Sequence, residues 1–256
     1  MSECPEYIDT FKRYEIKYLI NENQYNAVRG AMGELFVPDI YGQSTISNIY
    51  FDTPDFRMIR ASMEKPIYKE KLRLRSYKTP TADDTVFIEL KKKYKSVVYK
   101  RRIDLTLAKA EDYTYRGKPL SLPSQISREI DYIMSFYPDV RPAMALFYER
   151  IAFFGADDPN LRLTFDSNIM ARRTGLSLAD GPGGDPIISP ELRLMELKTA
   201  TSIPLWLAKL FDGLKIYPAS FSKYGRAYML SMESILSEKE RLNNTKETSE
   251  RKFICA

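Results

Sequence analysis

The chain has 256 residues, 39 Lys or Arg against 34 Asp or Glu, and a formal charge of +5, enough length for one substantial core or two. It contains no His. That excludes His-based triads, His general bases and nearly all zinc and copper sites, and leaves only hard cations on carboxylates as candidate metals.

Thr10 to Ile20 alternates polar and apolar positions and predicts a strand whose polar face carries Arg13, Glu15 and Lys17. Asn21 and Gln24 are spaced as a capping box, so a helix is expected to about Gly33. Ser44 to Asp52 predicts a second strand, and Thr53-Pro54 opens a short helix over Asp55 to Ser62. Three basic strands follow, from about Ile67, Thr85 and Ser96, with a hairpin turn at Thr79 to Asp84. On the first of them, Lys69, Lys71, Arg73, Arg75 and Tyr77 share one face, and Glu70, Leu72, Leu74 and Ser76 the other. Between Lys69 and Arg102 there are twelve Lys or Arg and four Asp or Glu. Four cations in a row on one strand face repel one another, so an anionic ligand is expected to compensate them. The alternative is an ordinary basic face in water.

Leu107 to Tyr115 is helical or irregular by pattern, and Pro123 to Tyr137 is a clear helix with a core stripe of Ile126, Ile130, Ile133 and Tyr137. Ala143 to Gly155 and Leu161 to Asn168 resume strand character, the second with Arg162, Thr164 and Asp166 on one face. Thr174 to Pro190 holds four of the eleven Gly and three Pro and predicts a long loop. Leu192 to Lys198 is the last strand, with Glu196 and Lys198 on one face. Ser202 is placed to cap a helix through Leu205, Trp206, Leu210 and Phe211, and a final helix runs from about Pro218–Lys223 to Glu240. About eight strands with short helices between them suit an α+β fold and are one of the recurrent ways to close a sheet into a barrel. Its charged face could point inward as a tunnel, with helices covering the apolar outside, or outward. Periodicity does not choose. Residues 1–236 are expected to form one domain, and 237–256 a charged, frayed tail.

No apolar run reaches membrane-spanning length, and no secretory h-region opens the chain. Cys4 and Cys255 lie near the two ends, so no disulfide framework is expected, and a reducing, cytoplasmic setting is.

The motifs Arg13-Tyr-Glu15-Ile-Lys17, Tyr50-Phe-Asp52-Thr, Lys71-Leu-Arg73-Leu-Arg75, Glu89-Leu-Lys91, Tyr148-Glu-Arg150, Arg162-Leu-Thr, Leu194-Met-Glu196-Leu-Lys198 and Phe221-Ser222-Lys223-Tyr occur in an order that resembles the VTC domain. That is the polyphosphate polymerase domain of the vacuolar transporter chaperone complex, within the triphosphate tunnel metalloenzymes. The resemblance spans Phe11 to Tyr228. It implies a closed antiparallel β-barrel whose bore binds triphosphate, a divalent metal (Mn²⁺ or Mg²⁺), and transfer of the ATP γ-phosphate to a growing polyphosphate chain. It places the basic phosphate ligands on Lys17, Arg73, Arg75, Lys91, Lys100, Arg150, Arg162 and Lys223. Tyr148, Ser222 and Lys198 join the expected phosphate-binding set. The metal falls to Glu196, with Glu15 and Glu89 as helpers or as ion-pair partners of nearby Lys. Two positions depart from the pattern. Arg13 stands where many tunnel enzymes have a first metal-binding Glu, which argues against the adenylate-cyclase and thiamine-triphosphatase branch. Ser220 stands where polymerases often have Lys.

The expected partners are therefore ATP and inorganic polyphosphate, with no nucleic acid and no membrane segment of the chain's own. A polyphosphate end is already an oxyanion and needs no general base, so the lack of His is no obstacle. Competing readings are a tripolyphosphatase or nucleoside triphosphatase on the same tunnel, and a non-catalytic polyphosphate-binding domain.

Overall fold

The computed structural model describes residues 14–95, 97–120, 124–200 and 202–237. The start of the first predicted strand with Arg13, both Cys, and the tail beyond 237 lie outside the described residues. The elements run β1 (Tyr14–Asn21), α1 (Glu22–Met32), β2 (Phe36–Asp52), α2 (Arg57–Met63), β3 (Tyr68–Ser76), β4 (Thr85–Tyr94), β5 (Val97–Thr106), α3 (Leu107–Arg116), α4 (Gln125–Phe136), β6 (Arg141–Gly155), β7 (Arg162–Arg172), β8 (Asp185–Pro186), β9 (Leu192–Thr199) and α5 (Leu205–Gly213). A last helix, α6, covers 223–237.

Local chemistry sets most of these boundaries. Asn21 and Gln24 form the reciprocal capping box of α1, at 2.9 and 3.0 Å. Thr106 caps α3, and Gly117 ends it in the left-handed conformation. The start of α2 is capped from the preceding strand. Thr53 Oγ1 accepts from Arg57 N, and the Asp52 carboxylate accepts from Met58 N and Ile59 N. The helix therefore begins at Arg57, two residues later than the Thr-Pro signal suggests. Ser202 is not the cap of α5, which starts after Pro204 with no side-chain cap among the described residues.

All pairings are antiparallel, in the order β1-β9-β7-β6-β2-β3-β4-β5, with the two-residue β8 beside β7. The expected closure is not seen. β1 pairs with β9, β5 with β4, and no pairing joins β1 to β5 among the described residues. On β1, the Lys17 carbonyl accepts instead from Ala219 N at 2.7 Å, so the connection into α6 lies where a closing strand would. The sheet still curls enough for β1 and β3 to meet the same segment: Lys17 on β1 donates to the Phe221 carbonyl and Lys71 on β3 to Ser222 Oγ.

The choice between charges inward and outward is settled by the helices. α3 and α4 bury Leu72, Leu74, Ile88 and Leu90 on one part of the outer face, with Ile130 and Ile133 opposite them. α1 and α5 bury Tyr18, Ile20, Leu163 and Met195 on another, against Val28, Leu207 and Phe211. Each such side chain contributes about 1.5–3 kcal/mol by leaving water. The other strand face is concave and carries the charged residues. One end of it is filled by Ile46, Leu146 and Leu194, closed over by Phe56, Ile59, Tyr224 and Ala227 from α2 and α6.

Candidate phosphate-binding site

The inner face is built from cross-strand pairs. Arg73 on β3 lies opposite Tyr50 on β2 and Glu89 on β4, and Arg75 lies opposite Asn48. The Glu89 carboxylate is 1% exposed and faces three cations: Arg73 at 2.6 Å, Lys100 at 2.8 Å and Arg75 at 3.7 Å. Burial opposes its charge, but Arg73, Arg75 and Lys100 outweigh burial and bring its pKa down to about 2. Arg75 is fixed further by Asn48 Oδ1 at 2.9 Å and the Tyr148 hydroxyl at 3.1 Å. Arg73 also donates to the Tyr50 hydroxyl at 3.0 Å. Two guanidinium forks are thus held in fixed orientation before any ligand arrives.

A second cluster forms on β1, β9, β7 and β6. Arg150 grips Asp166 with two bonds, at 2.6 and 2.7 Å, and Lys223 pairs with the same carboxylate. Glu196 is approached by Lys223 (3.3 Å), Arg150 (3.5 Å), Lys17 (3.7 Å) and Lys198 (3.9 Å). Burial would raise its pKa, but these four cations hold it well below the carboxylate range. Glu15 sits beside it, 3.3 Å from Lys17 and 4.0 Å from Lys198. Burial works against its charge too, and Lys91 and Lys17 prevail. Lys198 is pushed down to about 8, chiefly by burial.

The segment before α6 closes one side. Lys17 donates to the Phe221 carbonyl at 3.1 Å, and Lys71 donates to Ser222 Oγ at 3.0 Å. Ser222 Oγ also accepts from Gly225 N at 3.2 Å, so it caps α6 and faces the site at once. The N-terminal end of α6 adds its dipole there. Burial brings Lys71 down to about 8 despite an opposing pull from Tyr50. Tyr50 is itself lowered to about 8, where burial is overcome by Arg73, Lys71 and Arg75.

Of the residues expected at the site, Lys17, Arg73, Arg75, Lys100, Tyr148, Arg150, Glu196, Lys198, Ser222, Lys223, Glu15 and Glu89 fall into these two clusters. Lys91 is exposed on the inner face of β4, opposite Lys71 and Lys100. Arg162 stands apart, pairing with Asp39 at 3.2 Å and lying over the Phe154 ring. Among the described residues, its Nε and the Thr164 hydroxyl are buried without hydrogen-bond partners. Sequence reading grouped Lys71 with the cations expected to face an anion, without giving it a role of its own, and missed Asp166. Part of the signal for Asp166 was present, since it shares a face with Arg162 and Thr164.

Carboxylates for a metal are limited. Among the described residues no group of three or more Asp, Glu, His or Cys is arranged to hold an ion alone. Glu15 and Glu196, sharing Lys17 between them, fit the other arrangement, in which one or two carboxylates hold Mg²⁺ or Mn²⁺ together with phosphate oxygens.

The VTC domain model matches residues 12–232. No protein of curated function matches the chain. Among solved structures, the chain is similar to a candidate adenylate cyclase from Bacillus halodurans (TM-score 0.53, 13% identity, 82% of this chain and 95% of that one). It is also similar to a candidate adenylyl cyclase from Hippeastrum with a dominant triphosphatase activity (TM-score 0.50, 16% identity, 84% and 94%). At such identities the likeness is one of fold. With the family match covering most of its length, the chain belongs to the VTC-domain family.

Proposed function

We propose that the protein is a metal-dependent polyphosphate polymerase that moves the γ-phosphate of ATP onto the end of a polyphosphate chain in a tunnel-like bore. The observation that carries this reading is the charge balance of the inner face. Its basic side chains outnumber its carboxylates, among them Glu15, Glu89, Asp104, Asp166 and Glu196, and most are pinned by hydrogen bonds. Such a surface is completed by a compact polyanion.

Phosphoryl transfer needs in-line positioning and neutralisation of charge on the moving group. Arg73 and Arg75, oriented by Glu89, Asn48 and Tyr148, can each grip phosphate oxygens with two N–H groups. Arg150 and Lys223, held by Asp166, face them from the other cluster. Donors already aimed at the developing charge cost no reorganisation during reaction. Glu196 and Glu15 would hold the divalent metal, which supplies charge neutralisation to the phosphate oxygens. Glu89, engaged by three cations, serves in this reading to orient the arginines. Ser222 and the first N–H groups of α6 receive a phosphate oxygen.

Hydrolysis of the same bound triphosphate is the second reading, and Ser220 favours it, because a cation of the polymerase pattern is missing there. Phosphorus NMR of the products from ATP and Mn²⁺ separates the two. ADP with chain phosphate supports the polymerase. ADP with an equal amount of free phosphate supports the hydrolase. Neither product would leave a binding domain.

A further inference from the structure

Arg162 lies directly opposite Lys198 of the second cluster in the β7–β9 register, yet it is turned away to Asp39, with Nη2 3.2 Å from the carboxylate. That arrangement leaves polar atoms unsatisfied. Among the described residues, Arg162 Nε and Thr164 Oγ1 are buried with no hydrogen-bond partner, and a buried unpaired donor is costly. A guanidinium with a spare buried N–H has a better arrangement open to it once another acceptor arrives. Asp39 itself comes from an irregularity in β2. The β2–β6 ladder breaks between Pro38, opposite Phe153, and Gln43, opposite Ile151, so residues 39–42 stand against Ala152 alone. Gly42 takes a φ of 56° where the chain turns back into register. Within the excursion Tyr41 N donates to Asp39 Oδ1 at 3.2 Å, while Ile40 and Tyr41 are 90% and 77% exposed. Side chains so exposed do little to hold the segment down. Its tie to β7 is the pair between Asp39 and Arg162.

We propose that residues 39–42 are a latch on the site. In the free protein the Asp39 carboxylate occupies Arg162 in place of a ligand anion. When an anion on the inner face takes Arg162, Asp39 lets go and the excursion loosens. The inference rests on the phosphate reading of the main site and adds a residue of the chain that competes with the ligand. Asp39 acts through Arg162 and is a positioning residue. The pair suits this role because its Arg162 side is partly open to solvent, and such ion pairs are weak enough to exchange for a phosphate contact. Asp166, fully buried between Arg150 and Lys223, is by contrast a fixed partner.

The test is calorimetric titration of the full chain with tripolyphosphate, together with amide hydrogen exchange of the peptide spanning 39–42. Asp39→Asn keeps an acceptor for Tyr41 N and removes the charge that holds Arg162. It should bind tripolyphosphate about two- to five-fold tighter than the wild type, whereas loss of a merely structural contact would weaken binding. In an Arg162→Ala background the same change should add nothing. Asp157→Asn, at an exposed carboxylate in the β6–β7 turn, makes the same change in net charge and should leave the affinity as it is. Saturating tripolyphosphate should speed exchange at 39–42 in the wild type toward the rate of free Asp39→Asn. Equal or weaker binding by Asp39→Asn overturns the proposal. So does a gain that survives in Arg162→Ala or appears equally in Asp157→Asn, and so does exchange at 39–42 that tripolyphosphate slows or leaves unchanged. In all these cases wild-type binding of tripolyphosphate leaves the main site standing. Tripolyphosphate that binds neither the wild type nor Asp39→Asn refutes the main site and the latch with it, and binding to Asp39→Asn alone supports both.

Discussion

Asp166→Asn should be among the more destabilising single changes on the inner face. The carboxylate is fully buried and neutralises both Arg150 and Lys223, whose side chains are 14% and 11% exposed. Asparagine keeps the volume and one acceptor but leaves two buried cations beside Glu196 alone. Removing one partner of a buried ion pair costs about 3–5 kcal/mol. For a domain of this size each kcal/mol lowers the melting temperature by about 2–4 °C, so a drop of roughly 6–20 °C is expected. The assay is thermal unfolding, read by circular dichroism, with and without tripolyphosphate. Phosphate oxygens that reach Arg150 and Lys223 would replace the missing charge, so the ligand-induced rise should be larger in the variant than in the wild type. A drop below about 2 °C without ligand would refute the view that Asp166 holds these cations. A smaller ligand-induced rise than in the wild type would refute the view that they face phosphate.

Glu196→Gln should stay folded and lose metal-dependent turnover, because an amide is a poor ligand for a hard cation; unchanged turnover over a manganese titration would remove Glu196 from the metal site. Lys71 is lowered from 10.5 to about 8 in the folded chain, so between these values the unfolded chain binds the extra proton. Stability of the free protein should therefore rise with pH across that window, by on the order of 1–3 kcal/mol after allowance for solvent at the half-buried ammonium. Tripolyphosphate affinity should fall over the same range. Lys71→Arg, which stays charged, should shrink both trends, while Tyr50 keeps part of them; denaturant melts and titrations at pH 7 to about 10 check this, and unchanged profiles would contradict it. Tyr224→Phe removes the hydroxyl that donates to buried Asp52 at 2.8 Å and should cost about 1–3 kcal/mol in urea unfolding, with the stack on Tyr50 kept.

Much of the site was legible because a strand displays alternate residues on one face. Lys71, Arg73 and Arg75, or Glu196 and Lys198, needed only a period of two to be grouped. The direction of that face was not legible. It depends on where α3, α4, α1 and α5 dock, which is a tertiary matter. Asp166 was passed over because its partners, Arg150 on β6 and Lys223 at the start of α6, are distant in sequence. The β6–β7 ladder shifts between Phe147 and Glu149, and Asn168 takes a positive φ of 49°. The inner residues of β7 change there from 162, 164 and 166 to Ile169 and Ala171. Alternation read along one strand shows that Asp166 shares a face with Arg162 and Thr164, but not that it lies opposite Arg150 on the neighbouring strand. Closure was over-read for a related reason. Strand count suggests a barrel, but the bond from Ala219 to the Lys17 carbonyl at the edge of β1 is made by a loop with no strand signature.

The most direct test of the central claim is a crystal structure with tripolyphosphate and Mn²⁺, the metal located by its anomalous signal. The account predicts phosphate density touching Arg73, Arg75, Arg150 and Lys223, with the metal between that density and Glu196. Phosphate bound on the outer face, or a bore that stays free of phosphate at saturating ligand, would contradict it.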